Sequence, residues 1–175
     1  MEVVYEDNHI IIVNKRPGEI VQGDKTGDTP LVETVRQYIK ETYAKPGNVF
    51  CGLVHRIDRP VGGLVVFAKT SKALTRMNEL FRLGDVHKTY WAIVQGRPKQ
   101  PEAHLTHYIT SVERNNKSYA SLRPKEGASK SELIYRTLAE GENYTLLEID
   151  LITGRKHQIR VQLSTTGTPI KGDLK

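Results

Sequence analysis

A carboxylate flanked by two arginines is the strongest candidate for catalytic chemistry in this chain. Asp58 ends the run His55-Arg56-Ile57-Asp58 and is followed directly by Arg59. The two guanidinium groups would favour the ionised carboxylate. The glycines that follow at 62 and 63 would let a bulky partner approach closely. An ionised, accessible carboxylate is suited to act as a nucleophile. The alternative interpretation is a structural ion pair that holds a turn.

The elements around Asp58 can be predicted from local patterns. Side chains alternate from Leu53 to Asp58, which predicts a strand that Pro60 and the glycines interrupt. Leu64 to Ala68 is apolar throughout and predicts a strand buried on both faces. Thr70 or Ser71 would cap a following helix that ends at Gly84. Its apolar positions fall at helical spacing: Ala73, Leu74, Met77, Leu80 and Phe81.

Tyr90 is the second residue with chemical potential. It lies in a predicted strand from Val86 to Gln95, on the face shared with Lys88, Ala92 and Val94. An aromatic ring with a hydroxyl can stack on another planar ring and can also exchange a proton. A half-buried strand tyrosine without a chemical role is the alternative.

The remaining elements follow from capping, alternation and turn signals. A hairpin is predicted over residues 3 to 14, and a helix starts at Thr29 and Pro30. His104 to Thr110 predicts a strand. Further on, a hairpin is predicted with strands at 132–138 and 144–152, followed by a helix over 157–163.

A polar, basic run covers residues 111 to 130. Its members are Arg114, Lys117, Tyr119, Arg123, Lys125 and Lys130. Such interleaving suits phosphate contacts with base stacking, and a solvated loop or hairpin tip explains it equally well.

Composition restricts the class of protein. The 175 residues fit one domain with a sizeable core. A formal net charge of +6 favours a polyanionic partner, nucleic acid first, although a basic surface can simply aid solubility. No apolar stretch reaches the roughly 20 residues that cross a bilayer, and the N-terminus does not resemble a signal peptide, so we expect a cytoplasmic protein. Cys51, the only cysteine, is interpreted as a buried inert thiol rather than a nucleophile, and no metal site is predicted.

Several motifs in order resemble the RluA-type pseudouridine synthases. The first is His55-Arg56-Ile57-Asp58-Arg59 with Gly63-Leu64 and Ala68-Lys69, and the second is Lys88-x-Tyr90. The third runs from Leu151 through Thr153-Gly154-Arg155-x-His157-Gln158-Ile159-Arg160, with Gly167-x-Pro169-Ile170-x-Gly172-Asp173 behind it. Lys15 to Gly18 also resembles a family element near the rim of the active site.

The resemblance implies an α+β fold, with one catalytic domain over residues 1–175 built on a mixed, largely antiparallel sheet flanked by helices. We expect no separate N-terminal RNA-binding domain of the kind that some relatives carry. The family normally continues for several elements beyond the position of Lys175, so we also expect part of the sheet to be missing from this sequence.

The resemblance also implies the site residues. Asp58 falls on the catalytic aspartate, Tyr90 on the tyrosine that contacts the target base, and Arg160 on the arginine that pairs with the aspartate. Arg155 is a competing choice for that pairing, or a phosphate ligand. An arginine fork would orient the carboxylate better than a lysine could. The expected substrate-binding residues are His55, Arg56, Arg59, Lys88, Arg155, His157 and Gln158.

The implied function is isomerisation of uridine in ribosomal or transfer RNA, with no cofactor. We predict no metal site, and a monomer is our default expectation. No Walker-type or dinucleotide signature occurs in the sequence. One rival hypothesis is a noncatalytic RNA-binding module on the same fold. Another is a hydrolase that uses Asp58 and His55, which strand alternation disfavours because it places the two side chains on opposite faces.

Overall fold

A computed structural model of the chain describes residues 1–112, 114 and 117–173. The chain divides into two compact units, Met1–Asp85 and Val86–Lys175, and each is described by itself. Within the described residues every strand pairing is antiparallel. Three α-helices accompany the two sheets, so the predicted α+β class is confirmed, with two antiparallel sheets in place of one mixed sheet.

The first unit combines a four-stranded sheet with two helices. Its elements are β1 (Glu2–Glu6), β2 (Ile10–Lys15), α1 (Leu31–Thr42), β3 (Gly52–Leu53), β4 (Gly63–Ala68) and α2 (Ser71–Leu83), and the strand order is β1-β2-β4-β3. The hydrophobic core of this unit consists mainly of inward-facing residues of β2 and β4 and of Leu31, Val35 and Ile39 of α1. The predicted N-terminal hairpin is therefore confirmed as β1 and β2.

Helix α2 has the ends that the sequence predicted. The Thr70 hydroxyl accepts a hydrogen bond from the Ala73 N–H, and Gly84 takes the left-handed conformation with φ of 80°. Helix α1 begins one residue later than predicted, because Pro30 occupies the cap position with an extended backbone. Only Ala73 of the apolar α2 positions is fully buried.

Two strand predictions in this unit are wrong in part. The predicted strand over 53–58 ends at Leu53, since β3 pairs only with the last two residues of β4. Further along this edge of β4, the Val66 N–H donates to Nε2 of His55 at 3.2 Å. A side chain therefore takes the place of a ladder partner, and the chain leaves the sheet. In β4 itself Leu64 is 54% exposed, so the strand is not buried on both faces.

The second unit is a five-stranded sheet with one helix. Its elements are β5 (Thr89–Gln95), β6 (Glu102–Val112), β7 (Lys117–Ser121), β8 (Ser129–Glu140), β9 (Tyr144–Leu151) and α3 (Gln158–Thr165), in the strand order β5-β9-β8-β6-β7. The hairpin predicted from 132 to 152 is β8 and β9, and the predicted C-terminal helix is α3. The strand predicted from Val86 begins at Thr89.

Alternation in β5 separates a core face from an exposed face. Ala92 and Val94 are buried in the core of this unit and Tyr90 packs against them, whereas Trp91 is 70% exposed. The predicted basic run contains β7, which pairs with β6, so of the loop and the hairpin left open by the sequence the structure has the hairpin; residues 113, 115 and 116 of the run lie outside the described residues. In the described part of the chain we find no helix long and apolar enough to span a bilayer.

Candidate active site

Asp58 lies in a turn that the fold holds from several sides. Strand β3 ends at Leu53, so the prediction that Asp58 lies at the end of a strand is wrong. Its carbonyl accepts a hydrogen bond from the Val61 N–H at 3.0 Å, which closes the turn. The neighbouring carbonyl of Arg59 accepts from the Gly18 N–H at 2.8 Å. Asp58 itself is half-buried.

Lys15 is the residue that organises this turn. It ends β2, is 1% exposed, and donates from Nζ to three backbone carbonyls: Arg16 at 3.0 Å, Arg59 at 3.0 Å and Val61 at 2.6 Å. Three donors on one ammonium group are matched by three acceptors. Lys15 therefore ties the end of β2 to two carbonyls of the turn that begins at Asp58.

Burial lowers the pKa of Lys15, and the negative charges of Glu19 and Asp58 oppose that shift. The sequence argument placed Lys15 near the rim of the site but did not count it among the site residues. A signal was present. Ile11, Val13 and Lys15 share one face of β2 and the first two are core residues, so strand alternation requires a buried lysine.

His55 is engaged in the fold. Its Nε2 accepts from the Val66 N–H, and its ring stacks on Phe81 with centroids 4.9 Å apart. An imidazole nitrogen that accepts a backbone N–H is not available there as a general base. This weakens the hydrolase hypothesis, and the predicted substrate contact of His55 stays a prediction.

The two arginines beside Asp58 differ in their surroundings. Arg56 is exposed. Arg59 donates from Nη2 to the Asp28 carboxylate at 2.7 Å, in the loop before α1, and both side chains are about half exposed. The guanidinium of Arg59 thus joins its own turn to that loop.

In the second unit, β5 positions Tyr90 and its neighbour Lys88. Tyr90 is half-buried and opposite Ile149 of β9. Lys88 precedes the strand; its carbonyl accepts from the Leu151 N–H at 2.9 Å, and burial lowers the pKa of its ammonium group. Of the two residues predicted to share a strand face, Tyr90 therefore belongs to β5 and Lys88 lies just before it.

Gln158 holds the turn that leads into α3. Its Oε1 accepts from the Thr153 hydroxyl at 2.8 Å and from the Arg155 N–H at 3.0 Å, and its Nε2 donates to the Glu132 carbonyl at 3.0 Å. The residue is 2% exposed. These bonds hold the amide within the fold, and the predicted substrate contact of Gln158 stays a prediction. Arg155, by contrast, is exposed.

His157 caps α3 in a conformation that non-glycine residues rarely adopt. Its φ is 57°, and its Nδ1 lies 3.4 Å from the Ser118 hydroxyl of β7. Left-handed residues of this kind cluster at functional sites. A cleft of about 290 Å³ opens between β7 and α3, and Lys117, Tyr119, His157 and Arg160 are among the residues that line it.

Arg160 extends from the first turns of α3 towards the C-terminal segment. Its Nε donates to Oδ2 of Asp173 at 2.7 Å, and its Nη2 donates to Oδ1 of the same carboxylate. This is a bidentate pair, the strongest geometry between these two groups. The predicted pairing of Arg160 with the catalytic aspartate stays a prediction.

Two further observations concern metal ligands and the single cysteine. Residues 1–112, 114 and 117–173 contain no group of three or more His, Cys, Asp or Glu side chains that could hold a metal ion. Burial raises the pKa of the Cys51 thiol to about 11, which agrees with the predicted inert cysteine.

Comparison with known proteins identifies the family of this chain. The family model described as RNA pseudouridylate synthase matches residues 9–165. The chain therefore belongs to the RNA pseudouridylate synthase family, as the motifs predicted.

Individual relatives agree with this assignment. The chain is 33% identical over 171 residues to ribosomal large subunit pseudouridine synthase C of Vibrio parahaemolyticus, with 98% of this chain and 51% of that protein covered. It is 32% identical over 175 residues to ribosomal large subunit pseudouridine synthase D of Zymomonas mobilis, with 99% of this chain and 55% of that protein covered. The chain thus spans about half the length of these curated relatives.

A solved structure supports the fold. Human RNA pseudouridylate synthase domain containing 4 superimposes with a TM-score of 0.84 at 26% identity, over 98% of this chain and 67% of that one.

Proposed function

We propose that this chain is an RNA pseudouridine synthase, an isomerase that converts selected uridines in structured RNA to pseudouridine. The observation that carries the proposal is the family match over residues 9–165, which includes Asp58, Tyr90 and Arg160. The buried Lys15 beneath the Asp58 turn supports it, because nucleophilic groups need firm positioning.

The reaction needs no external group. The glycosidic bond between N1 of uracil and the ribose breaks, the base rotates, and a bond forms between ring carbon 5 and the same ribose carbon. The proton leaves carbon 5 and N1 gains one, so atoms and electrons balance without an oxidant. This chemistry implies no cofactor.

We assign each site residue a role in this reaction. Asp58 is the nucleophile, Tyr90 stacks on the base and assists proton removal from carbon 5, and Arg160 keeps the catalytic carboxylate ionised and aimed. Whether Asp58 attacks the sugar or the base is left open by these roles.

Binding of RNA is proposed to rely on positive charge. The chain carries a formal charge of +6, and Arg56, Arg155 and Lys117 are exposed basic residues. Moving the uridine out of its stack costs a few kcal/mol, and phosphate contacts would offset that cost. Large-subunit ribosomal RNA is our first substrate because the relatives carry that name, transfer RNA is the second, and we expect a cytoplasmic monomer.

The proposal is tested by tritium release from RNA labelled at carbon 5 of uridine, with Kd for the same RNA measured in parallel. We expect release by the wild-type chain, no release by Asp58→Asn, and a Kd within a few-fold of wild type. Asp85→Asn is the control, an exposed carboxylate in the same unit that should leave the rate unchanged.

Two outcomes would contradict the assignment. Wild-type RNA binding without tritium release would favour the noncatalytic RNA-binding module. Full activity of Asp58→Asn would end the nucleophile role. In a separate test, Tyr90→Phe should retain stacking and slow the single-turnover rate; a wild-type rate in that variant would remove the proton-transfer role of the hydroxyl.

A further inference from the structure

Arg59, the residue after Asp58, combines an anchored backbone with a side chain that reaches another segment. Its carbonyl accepts hydrogen bonds from the Gly18 N–H at 2.8 Å and from Nζ of Lys15 at 3.0 Å. Its guanidinium extends to the loop between β2 and α1, where Nη2 donates to Asp28 at 2.7 Å. The base of this side chain is therefore fixed beside Asp58, while its charged end is held by a different part of the first unit.

The loop that holds Arg59 spans residues 22–29, and we call it the acidic loop after its two carboxylates. All of its residues are exposed. Nη1 of Arg59 donates to the Thr26 hydroxyl at 3.4 Å, and Oδ1 of Asp24 accepts from the Thr26 N–H at 2.8 Å. Hydrogen bonds from Thr26 lower the pKa of Asp24, and the positive charge of Arg59 lowers it further. The guanidinium therefore interacts with two carboxylates of one loop, those of Asp24 and Asp28.

The base of the acidic loop is anchored more firmly than its tip. At the base, the Leu31 N–H donates to the Ile20 carbonyl at 2.8 Å, and both residues are buried. At the tip, the side chains of Arg59 and Asp28 are 46% and 53% exposed. Ion pairs this exposed contribute little to stability and break at small cost. The tip can therefore leave Arg59 while the base keeps its place in the first unit.

A phosphate of RNA would compete with Asp28 for the same donors. Carboxylates and phosphates both accept the paired N–H groups of a guanidinium. Asp24 and Asp28 already place two negative charges at one arginine, and a phosphodiester would add a third. Like charges at such short distances repel one another. An RNA backbone that contacts Arg59 must therefore displace the acidic loop.

We propose that Asp28 competes with RNA at the Asp58 turn: its carboxylate occupies the place of a backbone phosphate on Arg59 and gives way when RNA binds. This inference rests on the proposed function, because it takes RNA as the substrate and Arg59 as one of its contacts. Asp28 thereby sets the affinity of the turn for RNA. The motifs that indicated the family do not include the acidic loop.

The first measurement is the Kd of Asp28→Asn for a transcript of large-subunit ribosomal RNA. Asparagine keeps the size of the side chain and removes its charge, so the guanidinium is left to the phosphate. We expect Kd to fall about 2- to 5-fold, a range set by the small contribution of an exposed ion pair. The gain should shrink as salt is raised, because salt screens exposed charges. The single-turnover rate at saturating RNA should stay within about 2-fold of wild type, since the change affects binding alone.

The second measurement tests whether Asp28 acts through Arg59. Arg59→Gln should weaken binding and reduce the slope of log Kd against log salt by about 1, as expected for one lost phosphate contact. In that background, Asp28→Asn should change Kd less than about 1.5-fold. Glu33→Gln is the matched control, because Glu33 forms an exposed pair with Arg36 in α1 and belongs to no predicted site. Its Kd should stay within about 1.5-fold of wild type.

Displacement of the loop is measured with a nitroxide spin label at its exposed tip. The label is attached through Lys25→Cys in a Cys51→Ala background, which leaves one thiol. We expect the transcript to narrow the resonance of the otherwise unchanged chain, because the loop is released from Arg59. Asp28→Asn should show the narrow resonance without RNA. A resonance that RNA leaves unchanged or broadens would show that the loop does not give way.

Three results with the Kd would overturn the competition. An unchanged Kd in Asp28→Asn is one, and a higher Kd is another, since Asp28 would then orient Arg59 for RNA. The third is an equal gain with and without Arg59, or an equal gain in the Glu33→Gln control. The proposed function fails separately: if the wild-type chain binds the transcript and the Kd changes are as expected, but no tritium is released, the isomerase assignment alone is overturned.

Discussion

Replacing Lys15 by methionine removes an ammonium group from the interior while nearly preserving side-chain volume. Three backbone carbonyls, of Arg16, Arg59 and Val61, then face an apolar side chain. The loss of hydrogen bonds lowers the free energy of unfolding, whereas removal of a buried charge raises it. The sizes of these two contributions decide the net change.

Hydrogen bonds to a charged group contribute about 1.5–3 kcal/mol each, and an unsatisfied buried carbonyl costs about 1–3 kcal/mol. Against this, keeping an ammonium out of water costs several kcal/mol, which the variant no longer bears. Because all three donors of Lys15 are matched, we expect the lost bonds to dominate. The free energy of unfolding should fall by about 3 kcal/mol, with Tm lower by roughly 6–12 °C.

The assay is urea unfolding at neutral pH, with tritium release measured well below the Tm of the variant. Release should fall even where the chain is folded, because the turn of Asp58 loses its internal support. Lys25→Met is the control, an exposed lysine of the same unit, and should change stability by less than about 0.5 kcal/mol. A Lys15→Met protein as stable as this control would refute the reasoning that the lysine holds the turn.

Four further measurements test individual parts of the fold. The pKa of the Cys51 thiol is raised to about 11 in the folded chain, above a value near 9 in the unfolded chain. The contribution of the buried neutral thiol to the free energy of unfolding is therefore complete below about pH 9 and is lost as pH rises towards 11. Urea midpoints should therefore fall more steeply over that range in wild type than in Cys51→Ala, and equal slopes would contradict the shift. Thr70→Ala should lower the free energy of unfolding by about 1 kcal/mol in urea titration, and Thr70→Ser should restore it if the cap is responsible. Gln158→Ala should cost about 2–3 kcal/mol by the same measurement, because it leaves buried partners unsatisfied; a cost near zero would show that these three hydrogen bonds do not stabilise the turn. Asp28→Asn breaks an exposed pair and should change the thermal midpoint by no more than about 2 °C.

Helix ends and strand faces were predictable because their causes are local. The cap at Thr70 and the left-handed Gly84 involve groups within a few residues, and both are confirmed. The alternation in β5 likewise placed Tyr90 on one face with Ala92 and Val94 and Trp91 on the other, and the structure shows that the first of these is the core side.

The predicted strand leading to Asp58 failed for a nonlocal reason. Alternation from Leu53 onwards was real, but a strand also needs a partner, and the Val66 N–H pairs with the His55 ring instead. No pattern within residues 53–58 records that choice. For the same reason, no pattern around Gln158 records that its amide bonds to residues of its own turn and of β8.

The sequence by itself determined the family, the α+β class and the identities of the candidate catalytic residues, because these depend on residue types and on spacing along the chain. Only the tertiary structure decided which atoms meet: Lys15 under the Asp58 turn, and Asp173 against Arg160. Lysine and aspartate are ordinarily surface residues; strand alternation indicates that Lys15 is buried, but no local pattern specifies the carbonyls it meets or places Asp173 beside Arg160. Their roles arise because packing removes water around them, so that each charge must find its partner within the protein.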